Sequence, residues 1–338
     1  MTSEENVRDY LWDPASPAAS EVEALEQRFE ALRFDPAARP LDLSRLPAAV
    51  LPHRAAWRRP VIAMAIAASL LMAAGAGLWT WRWTWPEGRA WTVREGPVDA
   101  RLEVGRAITI PDDGGAIANI ARIGTMRLAG GTSLELRSTR DTRHRLRMTG
   151  GDIHVRVWAP PVSVVIETPA GEVIDMGCEF LLSVSGDRSA VRVLSGWVQL
   201  ENGIDEVLVP AGASSEMTSR RGPGVAVFDD AAPGFAESVR ALEADGDPAA
   251  VERILALARP RDVYTLLGLA DRHRSAAEAL LRRSAELWPP PDGVTIGRIL
   301  RGDRESLWMW SRSLPLPPTK TGWWKNWRDA FPLGLSER

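Results

Sequence analysis

Residues 61–80 read VIAMAIAASLLMAAGAGLWT, twenty positions without a charged side chain. As a helix they rise about 30 Å, the depth of a bilayer's hydrocarbon core. A lone segment in lipid satisfies its backbone polar groups only as a helix. The stretch therefore predicts a transmembrane helix over 61–82, and the rest of the chain is assigned by side. Arg54, Arg58 and Arg59 precede it, while Arg82 and Arg89 follow; the excess of positive charge before the span keeps the N-terminal side in the cytoplasm. Arg58 and Arg59 at the entrance, with Trp79, Trp81, Trp83 and Trp85 at the exit, are the expected interface residues, because an indole buries its ring and keeps its N–H wet at headgroup level. Pro86 ends the helix. The competing readings are a buried core helix and a cleavable signal peptide, and the second fits poorly with 60 preceding residues. Ser69, Ala73 and Gly77 form a row of small residues that would let two helices approach as a homo-oligomer.

With 338 residues and one span, the chain has room for a small piece before the span and two domains after it. The net charge of -3 gives no basic face for direct nucleic-acid binding. Cys178 is the only cysteine, and His53, His144, His154 and His273 are scattered, so neither an internal disulfide nor a Cys/His zinc site is expected.

Residues 1–40 read as a short helical segment and 41–60 as a proline-punctuated linker. A first short helix carries Tyr10, Leu11 and Trp12. Ser20 is placed as an N-cap with Glu23 three residues on, a capping box. Val22, Leu25, Phe29 and Leu32 then share one helical face. Two short helices bury little apolar area, so this is either a docking segment completed by a partner or a pair packed on itself.

Beyond the span the apolar period becomes two. Runs at 106–110, 125–128, 132–137, 144–148, 152–158, 162–167, 180–184, 190–194 and 197–200 are separated by glycine, aspartate or proline turns. They predict an all-β antiparallel domain over 91–228, built as a sandwich, jelly roll or short solenoid.

Three pieces of this region carry a likeness: HRLRMTGGDIHVRV from His144, IETPAGEVIDMGCEFLLSV from Ile166, and VRVLSGWVQLENG with LVPAGASSEM from Val191. In this order they resemble the FecR domain of membrane-bound regulators of extracytoplasmic-function sigma factors. Cys178 stands where that family usually has threonine. The residues on the motif, Gly150, Gly177, Cys178, Phe180, Gly196 and Gly212, read as a scaffold: the glycines for positive φ or close backbone approach, Phe180 for the core, Cys178 as a small buried hydrophobe.

From residue 234 to 338 the period is helical again, with helices at 235–244, 248–257, 262–270, 274–287, 295–300 and 303–314. The tail holds Lys320, Trp323, Trp324, Lys325, Trp327 and Arg328. It suits a peptide, glycan or membrane-surface contact, or a cover for the helical domain.

No phosphate loop, HExxH, GxSxG or GxGxxG signature is present, so no enzyme and no cofactor are expected. The acidic pairs Asp112-Asp113 and Asp229-Asp230 read as solvated turns. The resemblance implies a single-pass protein of the bacterial inner membrane, its C-terminus periplasmic. It also implies an anti-sigma role in which Tyr10, Leu11, Trp12, Val22, Leu25, Phe29 and Leu32 hold a sigma factor. The partners are then that sigma factor, membrane lipid, and an envelope protein or ligand. The alternative is an anchored periplasmic module that recognises glycan or peptide and has no transcriptional output.

Overall fold

The computed structural model describes residues 20–32, 54–95 and 101–317. The chain divides into two compact units at Leu70 and Leu71. Helix α1 (Ser20–Phe29) continues into a 3-10 turn, Glu30–Leu32. Ser20, the expected N-cap, is the first described residue of this segment and is already helical.

Helix α2 (Arg54–Trp83) is 30 residues long. It starts inside the stretch that the sequence assigns to a linker and carries Pro60 within it, which forfeits one backbone bond that a long helix can spare. Its segment Met64–Trp83 is long and apolar enough to cross a membrane, and none of its most apolar part is buried. The helix stops ahead of Pro86, whose ring disfavours helical backbone in the residue before it.

Sixteen short strands follow among the described residues: β1 (Trp91–Glu95), β2 (Arg101–Leu102), β3 (Ala107–Thr109), β4 (Gly115–Ile120), β5 (Gly124–Ala129), β6 (Ser133–Arg140), β7 (Arg143–Val157), β8 (Val164–Thr168), β9 (Gly171–Asp175), β10 (Glu179–Ser185), β11 (Arg188–Ser195), β12 (Trp197–Glu201), β13 (Glu206–Pro210), β14 (Ala213–Thr218), β15 (Gly222–Pro223) and β16 (Val227–Phe228). One layer runs β1-β4-β5-β7-β10-β11-β14 and the other β3-β6-β7-β8-β9-β12-β13. Strand β7 belongs to both. Its first half pairs with β6 and β8, and its second half with β5 and β10.

The buried positions of β7 show how one strand serves two layers. His144, Leu146 and Met148 face inward, then Ile153, Val155 and Val157; the alternation changes parity at Gly150-Gly151. The pairing of β7 with β8 is parallel, His144 opposite Val164. A straight strand would put Val157 about 43 Å from His144, but the seven steps from Val157 to Val164 reach at most about 25 Å. The strand must fold back between its halves, and the glycine pair is where it does. Gly151 has φ 99°, a backbone that only glycine takes freely.

The structure corrects the sequence reading in three places here. The runs at 144–148 and 152–158 are one strand, the domain is mixed because β7 and β8 run parallel, and β4, β9, β13 and β14 add strands in stretches that the sequence leaves as turns or motif. A core of Trp91, Ile120, Leu136, Leu146, Phe180 and Val198 lies between the layers.

The C-terminal helices are α3 (Phe235–Asp245), α4 (Pro248–Leu257), α5 (Val263–Arg272), α6 (Ala277–Leu287), α7 (Ile296–Leu300) and α8 (Arg304–Ser313). Asp247 caps α4 by accepting the Ala249 N–H at 2.9 Å, with Pro248 at the first helical position. Their core gathers Phe235, Leu266, Leu280 and Trp310, and Tyr264 and Leu316 pack against both this core and that of the β domain. Tyr264 donates its hydroxyl to the Leu208 carbonyl at 2.8 Å, and Thr265 to that of Ala226 at 2.7 Å.

The acidic pair at 229–230 is an exposed turn, as expected, but both carboxylates are paired. Asp229 accepts from Arg192 and Ser214 inside the β domain, while Asp230 takes Arg259 and Arg261 at 3.2 Å each and so joins the sheet to the helices.

Candidate functional site

On α1 the apolar face is uncovered. Leu25, Phe29 and Leu32 are 54%, 56% and 77% exposed and Val22 is half-buried. Isolated exposed leucines are ordinary, but three large apolar side chains on one face of a short helix form a patch. Tyr10, Leu11 and Trp12, grouped with them on sequence grounds, lie outside the described residues, as do Lys320, Trp323, Trp324, Lys325, Trp327 and Arg328.

At the other end of the apolar helix the tryptophans divide. Trp79 and Trp81 are exposed. Trp83 is half-buried, its ring 5.9 Å from that of Trp79. Trp85 is not an interface residue: it is buried in the β core, because the chain turns onto the sandwich as soon as the helix ends. Its carbonyl accepts the Asp141 N–H at 2.9 Å, and Gly88 donates its N–H to Thr139.

The residue that fastens this junction was not singled out by the sequence. Arg122, in the turn between β4 and β5, donates from Nη1 to the carbonyls of Trp81 at 2.6 Å and Thr84 at 2.8 Å. These carbonyls belong to the last turn, where a helix leaves acceptors unsatisfied and its dipole favours a cation. The guanidinium also stacks 3.8 Å over the Trp81 ring. Arg122 is 41 residues from Trp81 in sequence, so no local pattern marks it. For the side chains of Arg58 and Arg59 nothing is described. Ser69 bonds back to the Ala65 carbonyl, and Gly77 faces open space.

The motif residues of the β domain hold one another. Gly177, Gly196 and Gly212 all have positive φ, whereas Gly150 does not; the position beside it, Gly151, takes that role. A Cβ on Gly196 would come within 2.7 Å of the Gly177 carbonyl. Phe180 is fully buried, and Cys178 is 2% exposed. The Cys178 thiol is more than a hydrophobe: it donates to Asp175 Oδ1 at 2.8 Å, and the same oxygen accepts the N–H groups of Gly177 and Cys178 at 2.9 Å. Asp175 is fully buried. A hydroxyl at 178 would stand where this thiol donates.

Close to the helix exit, His144 is 1% exposed. Its Nδ1 lies 2.7 Å from the Thr139 hydroxyl, which also accepts Trp91 Nε1–H at 3.1 Å. Burial pushes the imidazole down to about 4, against a small opposing pull from Asp141, so the ring is neutral at physiological pH.

A hollow of about 1390 Å³ lies between the β12–β13 hairpin with β14–β15 and helices α3, α5 and α8. Its walls carry both signs of charge, Arg221, Arg272 and Arg304 with Asp205, Glu206 and Glu243. Burial raises the Glu243 carboxyl above its usual value, opposed by the Val225 N–H and by Arg272 at 3.5 Å. Tyr264 lines the hollow, and its hydroxyl is pushed upward by burial alone. Among the described residues no group of His, Cys, Asp and Glu could hold a metal ion.

No family model matches the sequence and no curated protein matches it. Among solved structures, the chain is similar to a proposed anti-sigma factor from Parabacteroides distasonis ATCC 8503, in crystal structures at 1.65 and 2.50 Å resolution. The identities are 13% and 15%, over 39% and 44% of this chain, with TM-scores of 0.32 and 0.28. The chain spans 63% of the length of each. At TM-scores of this size the likeness carries no argument about fold or function.

Proposed function

We propose that the chain is a single-pass regulator of the bacterial inner membrane that holds an extracytoplasmic-function sigma factor on its cytoplasmic side. The observation that carries this reading is the uncovered face of α1, with Leu25, Phe29 and Leu32 each more than half exposed, on a short segment that precedes an apolar helix long enough to span a bilayer. A short amphipathic helix completes its core in a partner's groove, and anchors spaced three and four residues apart are what such a groove receives. The motif order in the β domain supports the class of partner. In this reading the β and helical domains stand in the periplasm, α2 crosses the membrane, and a signal received outside changes the grip inside.

The test is direct binding. Residues 1–53 are immobilised, and each purified extracytoplasmic-function sigma factor encoded in the source genome is passed over them. Saturable binding of at least one supports the reading, and binding of none overturns it.

The hollow beside the β12–β13 hairpin favours a second reading. A cleft of about 1390 Å³ with both signs of charge on its walls suits a peptide or glycan, as an envelope-anchored binding module would require. The two readings differ in output: deletion of residues 1–53 changes transcription in the first and leaves it unchanged in the second.

A further inference from the structure

The junction between α2 and the β domain gathers two arginines, Arg89 and Arg122, around the Trp85 ring. Arg122 spends only Nη1 on the carbonyls of Trp81 and Thr84. A guanidinium has five N–H donors, so Nε and Nη2 remain. Arg89 shares the Trp85 ring with it, its guanidinium 5.0 Å from that ring and that of Arg122 at 5.3 Å. Burial lowers the pKa of Arg122, and the charge of Arg89 lowers it further. Among the described residues no carboxylate pairs with either of them. Two adjacent like charges repel, and an anion held by both would relieve that repulsion.

Depth decides which anion. The exposed apolar stretch runs through Leu78 and Trp79. From Thr80 to Thr84 a helix rises about 6 Å. The interfacial layer on each side of the hydrocarbon core is about 5–8 Å thick, so the carbonyls that Arg122 caps lie within it. Trp81, stacked under Arg122, is the side chain that settles at that level. We propose that Arg89 and Arg122 together bind the phosphate of an anionic phospholipid headgroup, which locks the end of the helix and the base of the β domain to the outer surface of the same membrane. Bidentate recognition of phosphate is the chemistry for which a guanidinium is suited. The proposal rests on α2 spanning the membrane, and the test separates the two.

The full chain is reconstituted in nanodiscs of phosphatidylcholine and, separately, of phosphatidylglycerol, and the midpoint of thermal loss of the β signal is read by circular dichroism. The expected result is a midpoint higher by about 2–4 °C in phosphatidylglycerol, the shift a modest headgroup interaction gives a domain of this size. Arg122→Gln removes that difference. Arg89→Gln, which leaves the helix cap intact, removes it too and keeps the test valid if Arg122→Gln folds poorly. Equal midpoints for the unaltered chain in the two lipids overturn the anionic-lipid site, as does a rise reproduced by inorganic phosphate in lipid-free micelles. The span is judged separately: a chain that is extracted from vesicles by alkaline carbonate overturns the membrane reading itself.

Discussion

Two adjacent glycines should respond very differently to a single methyl group. A Cβ placed on Gly151 would sit 2.4 Å from Cα of Thr132, 2.6 Å from its Oγ1 and 2.9 Å from its Cβ. The nearest of these is backbone and cannot rotate away. The position also has φ 99°, which costs a non-glycine residue about 1–3 kcal/mol. Overpacking adds about 1–3 kcal/mol. Moving Thr132 is itself costly, because its hydroxyl donates to the Asp152 carbonyl at 2.9 Å and accepts the Asp152 N–H at 3.2 Å. Gly151→Ala should therefore destabilise the β domain by about 2–6 kcal/mol. Gly150 has ordinary φ, and its Cβ would meet only the Val184 carbonyl, at 4.0 Å. Gly150→Ala should stay within about 0.5 kcal/mol, the range of substitutions that disturb nothing. Urea unfolding of the full chain in detergent micelles, followed by circular dichroism, compares the two variants. Equal losses would refute the fold-back of β7 at Gly151.

Three further outcomes are expected. His144 is held neutral in the fold with a pKa of about 4 against 6.5 unfolded, so its stabilisation is complete above pH 6.5 and is lost as pH falls towards 4. At about 1.4 kcal/mol per pH unit between the two values the loss reaches about 3 kcal/mol, and His144→Gln, measured by urea midpoint against pH, should lack that part of the slope. Asp175→Ala strands the buried N–H groups of Gly177 and Cys178, costing about 1–3 kcal/mol for each, whereas Cys178→Ser keeps a donor for Asp175 and should cost less than about 1 kcal/mol; thermal midpoints of the two variants rank them. A reporter active only in the periplasm should work when fused after Phe228 and stay silent when fused after Leu32, and the reverse pattern would invert the orientation.

Much of the architecture is legible in the chain because it rests on local signals. Pro248–Leu257 is marked at its start by Asp247-Pro248, and the cap bond is there. The apolar run at 61–80 announces α2, although the helix begins earlier because the alanines and arginines ahead of Pro60 continue it. The β periods at 180–184 and 190–194 lie inside the strands that form. What could not be read depends on residues far apart. Strand β4 is GAIANI, too small and too near a glycine turn to register as a strand until β5 pairs with it. Strand β9 hides behind Pro169-Ala170-Gly171 and is fixed by β8 and β12. Gly150 and Gly151 are indistinguishable until Thr132 is seen against one of them. Arg122 is a lone arginine in a turn, and the carbonyls it caps come from 38 and 41 residues earlier. The exposed face of α1 was legible because amphipathic spacing is local, but which side chains of the β domain meet the helix exit was not.

The anti-sigma reading stands or falls on Phe29. It is 56% exposed on the α1 face, and one aromatic anchor supplies several kcal/mol, typically about 2–4, of a small interface. The measurement is transcription from a promoter of the captured sigma factor in cells carrying the full-length chain with Phe29→Asp, with Glu26→Gln, off the apolar face, as control. The prediction is that Phe29→Asp abolishes capture and changes that transcription, while Glu26→Gln does neither and both variants insert and fold normally. A Phe29→Asp chain that is made, inserted and folded, yet still captures the sigma factor and leaves transcription unchanged, contradicts the assignment of α1 as the sigma-binding element.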